Sequence, residues 1–196
     1  MVKLSIMKNI ILVVLSTFLS LNGFTQVEDV EPKKEWQYKS ALSFSTGFLT
    51  EKTNTIQLQG AFGFVKNKFE LRGDVFYFLN SFGDRPRFSM NHQFYAGVFY
   101  KFLNEKSFQP YVGIQPGVAM SQSSEYGEYN LEKQEVEYQV TYNPVGSITG
   151  GFDFFGKKGF YLFTEARYIF GKHKSNTYPV FLDEFRLSFG LGFKFN

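Results

Sequence analysis

The sequence predicts an all-β chain, a closed antiparallel up-and-down transmembrane β-barrel of about eight strands. Three observations carry that expectation. The first is the C-terminal stretch, where Phe181, Phe185, Leu187, Phe189, Leu191, Phe193 and Phe195 share one parity. Glu184, Arg186, Ser188, Gly190, Gly192, Lys194 and Asn196 share the other. Side chains alternate faces along a strand, so this segment has a greasy face and a charged or small face. The second is composition: 20% of residues are aromatic, with 26 Phe and 12 Tyr, yet mean hydropathy is only −0.20. Alternating strands hide from hydropathy averages because half of their residues are polar. The third is that connections alternate between tight and long.

The elements follow in order. Residues 1–25 read as a signal peptide: Lys3 and Lys8 precede the apolar run Ile10–Leu21, and small or polar residues follow, with cleavage expected near Thr25–Gln26. Met7 is an alternative start, because MKNIILVV is itself a complete leader. The run is shorter than the roughly 20 apolar residues a spanning helix needs, so crossing the membrane falls to strands. Residues 26–35 are charged and contain Pro32, as a periplasmic N-terminal linker would; the barrel domain is 36–196.

From Trp36 the alternation begins. The first strand sets Trp36, Tyr38, Leu42, Phe44 and Phe48 against Ala41, Ser43, Ser45 and Gly47. The second sets Ile56, Leu58, Phe62 and Phe64 against Thr55, Gln57, Gln59, Ala61 and Gly63; the third sets Phe69, Leu71, Val75, Tyr77 and Leu79 against Glu70, Arg72 and Asp74. In the fourth, Phe94, Ala96, Val98, Tyr100 and Phe102 oppose Asn91, Gln93, Tyr95, Gly97 and Lys101. The fifth is weaker, with Val112, Ile114, Val118 and Met120 against Gly113, Gln115, Gly117 and Ala119. A sixth strand is expected from Val136 to Phe154, with Glu137, Asn143 and Asp153 on its polar face. The seventh puts Phe160, Leu162, Ala166, Tyr168 and Phe170 opposite Glu165 and Arg167, and the C-terminal stretch is the eighth.

Tight connections VKNK, LNEKS and FGKKG follow the second, fourth and sixth strands, while long ones follow the third, fifth and seventh; the first hairpin's external turn, TEKTN, is the one short exception. Short turns belong to the periplasm and long loops to the outside, which places both termini in the periplasm. Two aromatic girdles are expected where the strands meet the water–lipid boundaries. Trp36, Tyr38, Tyr100, Phe102, Phe154, Phe160, Phe193 and Phe195 belong to the inner one; Tyr77, Tyr138, Tyr142 and Tyr168 belong to the outer. Pro116 and Pro144 fall on adjacent strands and cannot donate ladder hydrogen bonds, so a bulge is expected there.

With these features the domain from Trp36 to Asn196 resembles the small eight-stranded outer-membrane β-barrel family of Gram-negative bacteria, the OmpA/OmpX-like barrels. The aromatic-rich ending GLGFKFN resembles the signal read by the barrel-insertion machinery, with Asn196 following the final aromatic. The resemblance implies an exported monomer in the cell outer membrane, in contact with outer-membrane lipid and lipopolysaccharide and with that machinery. A soluble lipocalin-like barrel is the alternative fold, and it would need its apolar face inside.

The polar parity supplies the candidate site, a lumen charge network of Glu70, Arg72, Asp74, Lys101, Asp153, Glu165, Arg167, Glu184 and Arg186, with Glu137 and Lys194 of the same parity. Eight strands enclose an interior that side chains fill, so these charges must pair. Glu165 and Arg167 are expected to meet Glu184 and Arg186 on the neighbouring strand, within salt-bridge or one-water reach. Bulky Phe76, Phe78, Tyr95, Phe99, Tyr161 and Phe163 share that interior and favour a closed lumen over a gated pore.

Catalysis of the kind found in lipid A-modifying barrels needs a base beside its nucleophile. The two histidines, His92 near Ser89 and His173 near Ser175, show no such partner along the chain. An enzyme is therefore not expected, and no cofactor or metal motif is present. The net charge of +3 gives no argument for nucleic acid, and the absence of cysteine excludes disulfides and thiol chemistry. What remains is a structural or loop-mediated interaction role. The loop carrying Glu125, Glu128, Glu132 and Glu135 with Tyr126 and Tyr129 is one candidate surface, and the loop with Arg85 and Arg87 is another.

Overall fold

The computed structural model describes residues 36–49, 53–83, 88–103, 107–125, 127–174 and 180–195. The expected leader and linker, Arg85, Arg87, Tyr126, Ser175 and Asn196 lie outside the described residues. Among the described residues eleven strands run in chain order: β1 Gln37–Leu49, β2 Thr53–Lys66, β3 Phe69–Gly83, β4 Phe88–Lys101, β5 Phe108–Ser123, β6 Glu128–Asn130, β7 Glu135–Glu137, β8 Val140–Phe155, β9 Phe160–His173, β10 Val180–Phe181 and β11 Glu184–Phe195.

Eight of them close a ring. Each barrel strand pairs antiparallel with the next in the order β1, β2, β3, β4, β5, β8, β9 and β11, and β11 pairs back onto β1 from Tyr38↔Phe195 to Leu49↔Glu184. The strand pleat sends alternate side chains to opposite sides of that wall. Leu42, Phe44, Leu71, Phe94, Ile114, Val140, Ile148, Leu187 and Phe189 all point outward and stay exposed. Ser43, Gln57, Gln59, Gln93, Gln115 and the nine charged residues of the expected lumen network point inward and are buried. A lipocalin-like barrel would show the reverse, so that alternative fails on the facing of its wall.

The turns fit the short side. A two-residue turn at Asn67–Lys68 joins β2 to β3, with Asn67 at φ 54°, a left-handed conformation that asparagine tolerates. A single 3₁₀ turn, Lys157–Gly159, joins β8 to β9. The two chain ends of the barrel lie at this same rim, since Tyr38 pairs with both Phe195 and Phe64.

Two expectations about the strands need correction. The sixth barrel strand does not begin at Val136: β6 and β7 pair with each other, Tyr129 opposite Val136, as a hairpin outside the barrel sheet, and β8 begins at Val140. Glu137 therefore lies outside the lumen, and Tyr138 sits between hairpin and barrel. The like-signed pair Glu128↔Glu137 would destabilise that hairpin alone. Lys133, 2.6 Å from Glu137, offsets it and holds the Glu137 carboxyl below the usual carboxylate range.

No bulge forms at the prolines either. The β5–β8 register runs unbroken through Pro116↔Gly146 and Val118↔Pro144. Both prolines face outward from the wall and are exposed, and glycine opposite Pro116 gives its ring room. Register shifts occur instead between Ile56 and Gln57 and between Phe88 and Met90, near the outer ends of β2 and β4. There the β3–β4 ladder stops at Phe76↔Gln93. The next free donor on β3, the Phe78 N–H, is taken by His92 Nδ1 at 3.1 Å.

Candidate functional site

The lumen is built in layers of charge. Nearest the short-turn rim, Lys39 and Lys101 alternate with Glu70 and Asp153 around a square. Lys39 Nζ lies 3.2 Å from Glu70 and 2.7 Å from Asp153, and Lys101 Nζ lies 2.9 Å and 3.1 Å from the same two acids. Lys39 was absent from the sequence-derived set. It sits on the polar parity of β1, but as the first charged residue of that strand it falls beside the linker, where a lysine attracts no attention. Lys194 is half-buried at this end and lies over the Phe155 ring at 5.2 Å.

A second square occupies the middle. Arg72 Nε donates to Asp74 at 3.1 Å and its Nη2 donates to Glu165; Arg167 Nη2 lies 2.7 Å from Asp74 and 2.9 Å from Glu165. Gln59 and Gln115 donate further hydrogen bonds to Asp74, and the Tyr111 hydroxyl donates to Glu165 at 3.1 Å. Four ions in so small a space are tolerable only because each meets two of opposite sign and the remaining oxygens are hydrogen-bonded.

Beyond it, Arg186 pairs with Glu184 at 2.7 Å and donates to Gln93 at 3.0 Å, while Thr55 donates to Glu184 at 2.8 Å. The Phe76 ring separates these two layers, with the Arg167 guanidinium 4.8 Å from its centre and that of Arg186 4.2 Å. No direct ion pair or hydrogen bond joins Glu165 or Arg167 to Glu184 or Arg186. Register sets Arg186 beside Arg167 and Ser188 beside Glu165, so a direct neighbour would be a like charge. The β9 ions reach across the barrel to β3 instead.

The outer end is capped by carbon. Leu182, in the short segment between β10 and β11, is fully buried with Phe88, Ala119, Val145 and Ile169. Its N–H donates to the Gly171 carbonyl at 3.0 Å, and the Gly171 N–H donates to Asp183 at 3.1 Å, which pins the segment over the mouth. At the same end, outward of Ala119, Val145 and Ile169 along β5, β8 and β9, lies a polar group that chain neighbours do not reveal. His173 Nδ1 is 2.8 Å from Ser121 Oγ and 2.9 Å from Thr141 Oγ1, and Asn143 donates to both hydroxyls. A serine and a histidine at this distance have the spacing of a nucleophile and its base. Here the histidine nitrogen is shared between two hydroxyls, no carboxylate orients the ring among the described residues, and both Ser121 and His173 are shut away from solvent. His92, on the outer wall, stacks on Tyr77 at 4.5 Å. No group of three or more metal-ligating side chains occurs among the described residues.

The aromatic residues collect at the two rims. At the short-turn end Tyr38 meets Phe64, Phe69 meets Tyr100, Tyr100 meets Phe102 and Phe160 meets Phe193, all edge-to-face at 5.3–5.5 Å. Phe193 also stacks on Phe195, Phe154 packs on Phe108, and Lys66 lies over Trp36. At the other end Tyr77, Tyr142 and Tyr168 are exposed on the outer wall, and Tyr138 is exposed just beyond it.

No family model matches the chain, and no curated protein matches it in sequence. Solved structures do match in shape. Neisserial surface protein A superposes with a TM-score of 0.57 at 14% identity, covering 82% of this chain and 97% of that one. The outer membrane protein OprG of Pseudomonas aeruginosa gives 0.56 at 15% identity over 86% and 100%. Ail, the attachment invasion locus protein of Yersinia pestis, gives 0.52 at 10% identity over 83% and 99%. With a closed eight-stranded ring, an apolar outer wall and a polar interior, the chain has the fold of the small outer-membrane β-barrels.

Proposed function

We propose that the protein is a non-catalytic barrel of the outer membrane, with both termini in the periplasm and a structural or surface-interaction role exercised through its outer loops. The observation that carries this reading is the filled lumen. Two ion squares, the Phe76 ring and the Leu182 cap follow one another along the barrel axis, which leaves side chains where a diffusion pore needs water. The orientation rests on the turns, two-residue and 3₁₀ at one rim, against the hairpin and the β9–β11 connection at the other. The buried state of the Ser121–His173 pair supports a role in tying β5, β8 and β9 together. Among the similar structures, Ail carries attachment and invasion in its name, which agrees with a surface role.

The test is planar-bilayer conductance of the reconstituted barrel, with lipid A mass spectrometry from cells that have and lack it. The reading expects no large steady conductance and an unchanged lipid A acyl count. A stable open channel would replace it with a pore, and a changed acyl count with an enzyme.

A further inference from the structure

The hairpin β6–β7 has two unlike faces. Tyr129 and Val136 are directly paired, so their side chains share one face; Glu128↔Glu137 and Asn130↔Glu135 occupy the other. On the apolar face Tyr129 is 59% exposed and Val136 47%, and Leu131 at the tip is 83% exposed. Among the described residues nothing covers them. The hairpin is nonetheless ordered by specific bonds. Asn130 Oδ1 accepts the N–H groups of Glu132 and Lys133, Lys133 pairs with Glu137, and Gln139 donates to Glu128. Gln122 on β5 ties the base by donating to the Tyr138 carbonyl at 2.7 Å.

The apolar face does not stop at the hairpin. A Cβ built on Gly127 would overlap Val136 and sit 3.1 Å from Tyr138 Cδ1, so those two side chains flank one point. Below Tyr138 the same parity continues as Val140 and Tyr142, both exposed on the outer wall of β8. The opposite parity runs from Glu137 and Gln139 on the hairpin's polar side to Thr141 and Asn143 on the lumen side. By parity the hairpin's apolar face continues the lipid-facing side of β8 past the barrel rim, and its charged face continues the lumen side.

We propose that this face lies on the lipid of the outer leaflet, so that Tyr129, Leu131, Val136 and Tyr138 extend the membrane contact of the barrel on the β5–β8 side. The inference rests on the membrane reading of the outer wall. Its chemistry is continuity with that wall. Tyrosines with one apolar ring and one polar hydroxyl suit the headgroup boundary, and an uncovered apolar patch gains most where lipid is already in contact beside it. The acidic side carries Glu128, Glu135 and Glu137, and so has reason to stay in water.

The test uses the full barrel with Trp36→Phe as background and a single tryptophan at each of three sites, in bilayers of phosphatidylcholine with brominated acyl chains. Tyr142→Trp reports the wall, Tyr129→Trp the hairpin's apolar face and Glu135→Trp its acidic face. The expected result is strong quenching for Tyr142→Trp, at least about half that extent for Tyr129→Trp, and little for Glu135→Trp. Tyr129→Trp emission as bright as Glu135→Trp, with Tyr142→Trp quenched, overturns the hairpin proposal alone and points to a protein partner or free hairpin. Equal quenching at all three sites also overturns it. An unquenched Tyr142→Trp overturns the membrane reading beneath it.

Discussion

Replacing Asp74 by alanine tests whether the middle ion square holds the barrel together. Asp74 is fully buried and accepts from Arg72 Nε, Arg167 Nη2, Gln59 Nε2 and Gln115 Nε2, at 3.1, 2.7, 3.1 and 2.8 Å. Without it, two guanidinium groups share the single carboxylate of Glu165, and four donors lose their acceptor. Hydrogen bonds to charged groups are worth about 1.5–3 kcal/mol each but do not sum, because the donors are coupled. The one-sided loss of a buried partner gives the better scale, about 4 kcal/mol for Asp74→Ala. Adding Arg72→Met removes the excess cation, so the double variant should recover part of that loss, on the order of 1–2 kcal/mol. The assay is urea unfolding in phospholipid vesicles followed by Trp36 fluorescence. A cost below about 1 kcal/mol for Asp74→Ala, or strictly additive effects in the double variant, would refute the view of these ions as dry and mutually dependent.

Lys39→Met should cost about 3 kcal/mol in the same assay, because Glu70 and Asp153 would then share Lys101 alone. Gly97→Ala should destabilise by about 1–3 kcal/mol, since a Cβ there overlaps the Ile114 carbonyl and lies 2.7 Å from Gln115 Cα, backbone that cannot turn aside. Gly150→Ala is the control, with nothing within 4 Å of its added carbon, and should be near neutral. The Lys133–Glu137 bridge lowers the Glu137 carboxyl, so its contribution is complete above the unfolded carboxylate pKa and is lost as pH falls through the lower folded value. Amide exchange in β7 should therefore be steady from neutral pH to about pH 5 and accelerate below about pH 4 after correction for intrinsic rates.

Period-two alternation was enough to read the eight barrel strands, their facing and the inward placement of residues such as Arg72 and Glu184, because the pleat leaves no freedom in which side of the wall a side chain takes. Which ion meets which was not legible. That depends on register and on how a long arginine reaches over the lumen, as Arg167 does to Asp74. The Ser121–His173 pair escaped for the same reason, its members lying 52 residues apart in sequence. Val136 and Tyr138 misled because the alternation continues past the rim: parity says which face a residue joins, not where the barrel sheet ends.

The ion pairs also bear on how such a chain could be assembled. On β3, β9 and β11 an arginine and a carboxylate stand two positions apart on one face, and Arg72–Asp74, Arg167–Glu165 and Arg186–Glu184 are all in contact. On a strand of this kind each arginine travels with a counterion of its own before the strand has found any neighbour. The bonds from Asp74 to Arg167 and from Arg72 to Glu165 are different: they join strands on opposite sides of the ring and can form only when it shuts. Alternating sign along these three strands thus keeps their arginines paired in the unclosed sheet, while exchange of partners across the lumen rewards closure.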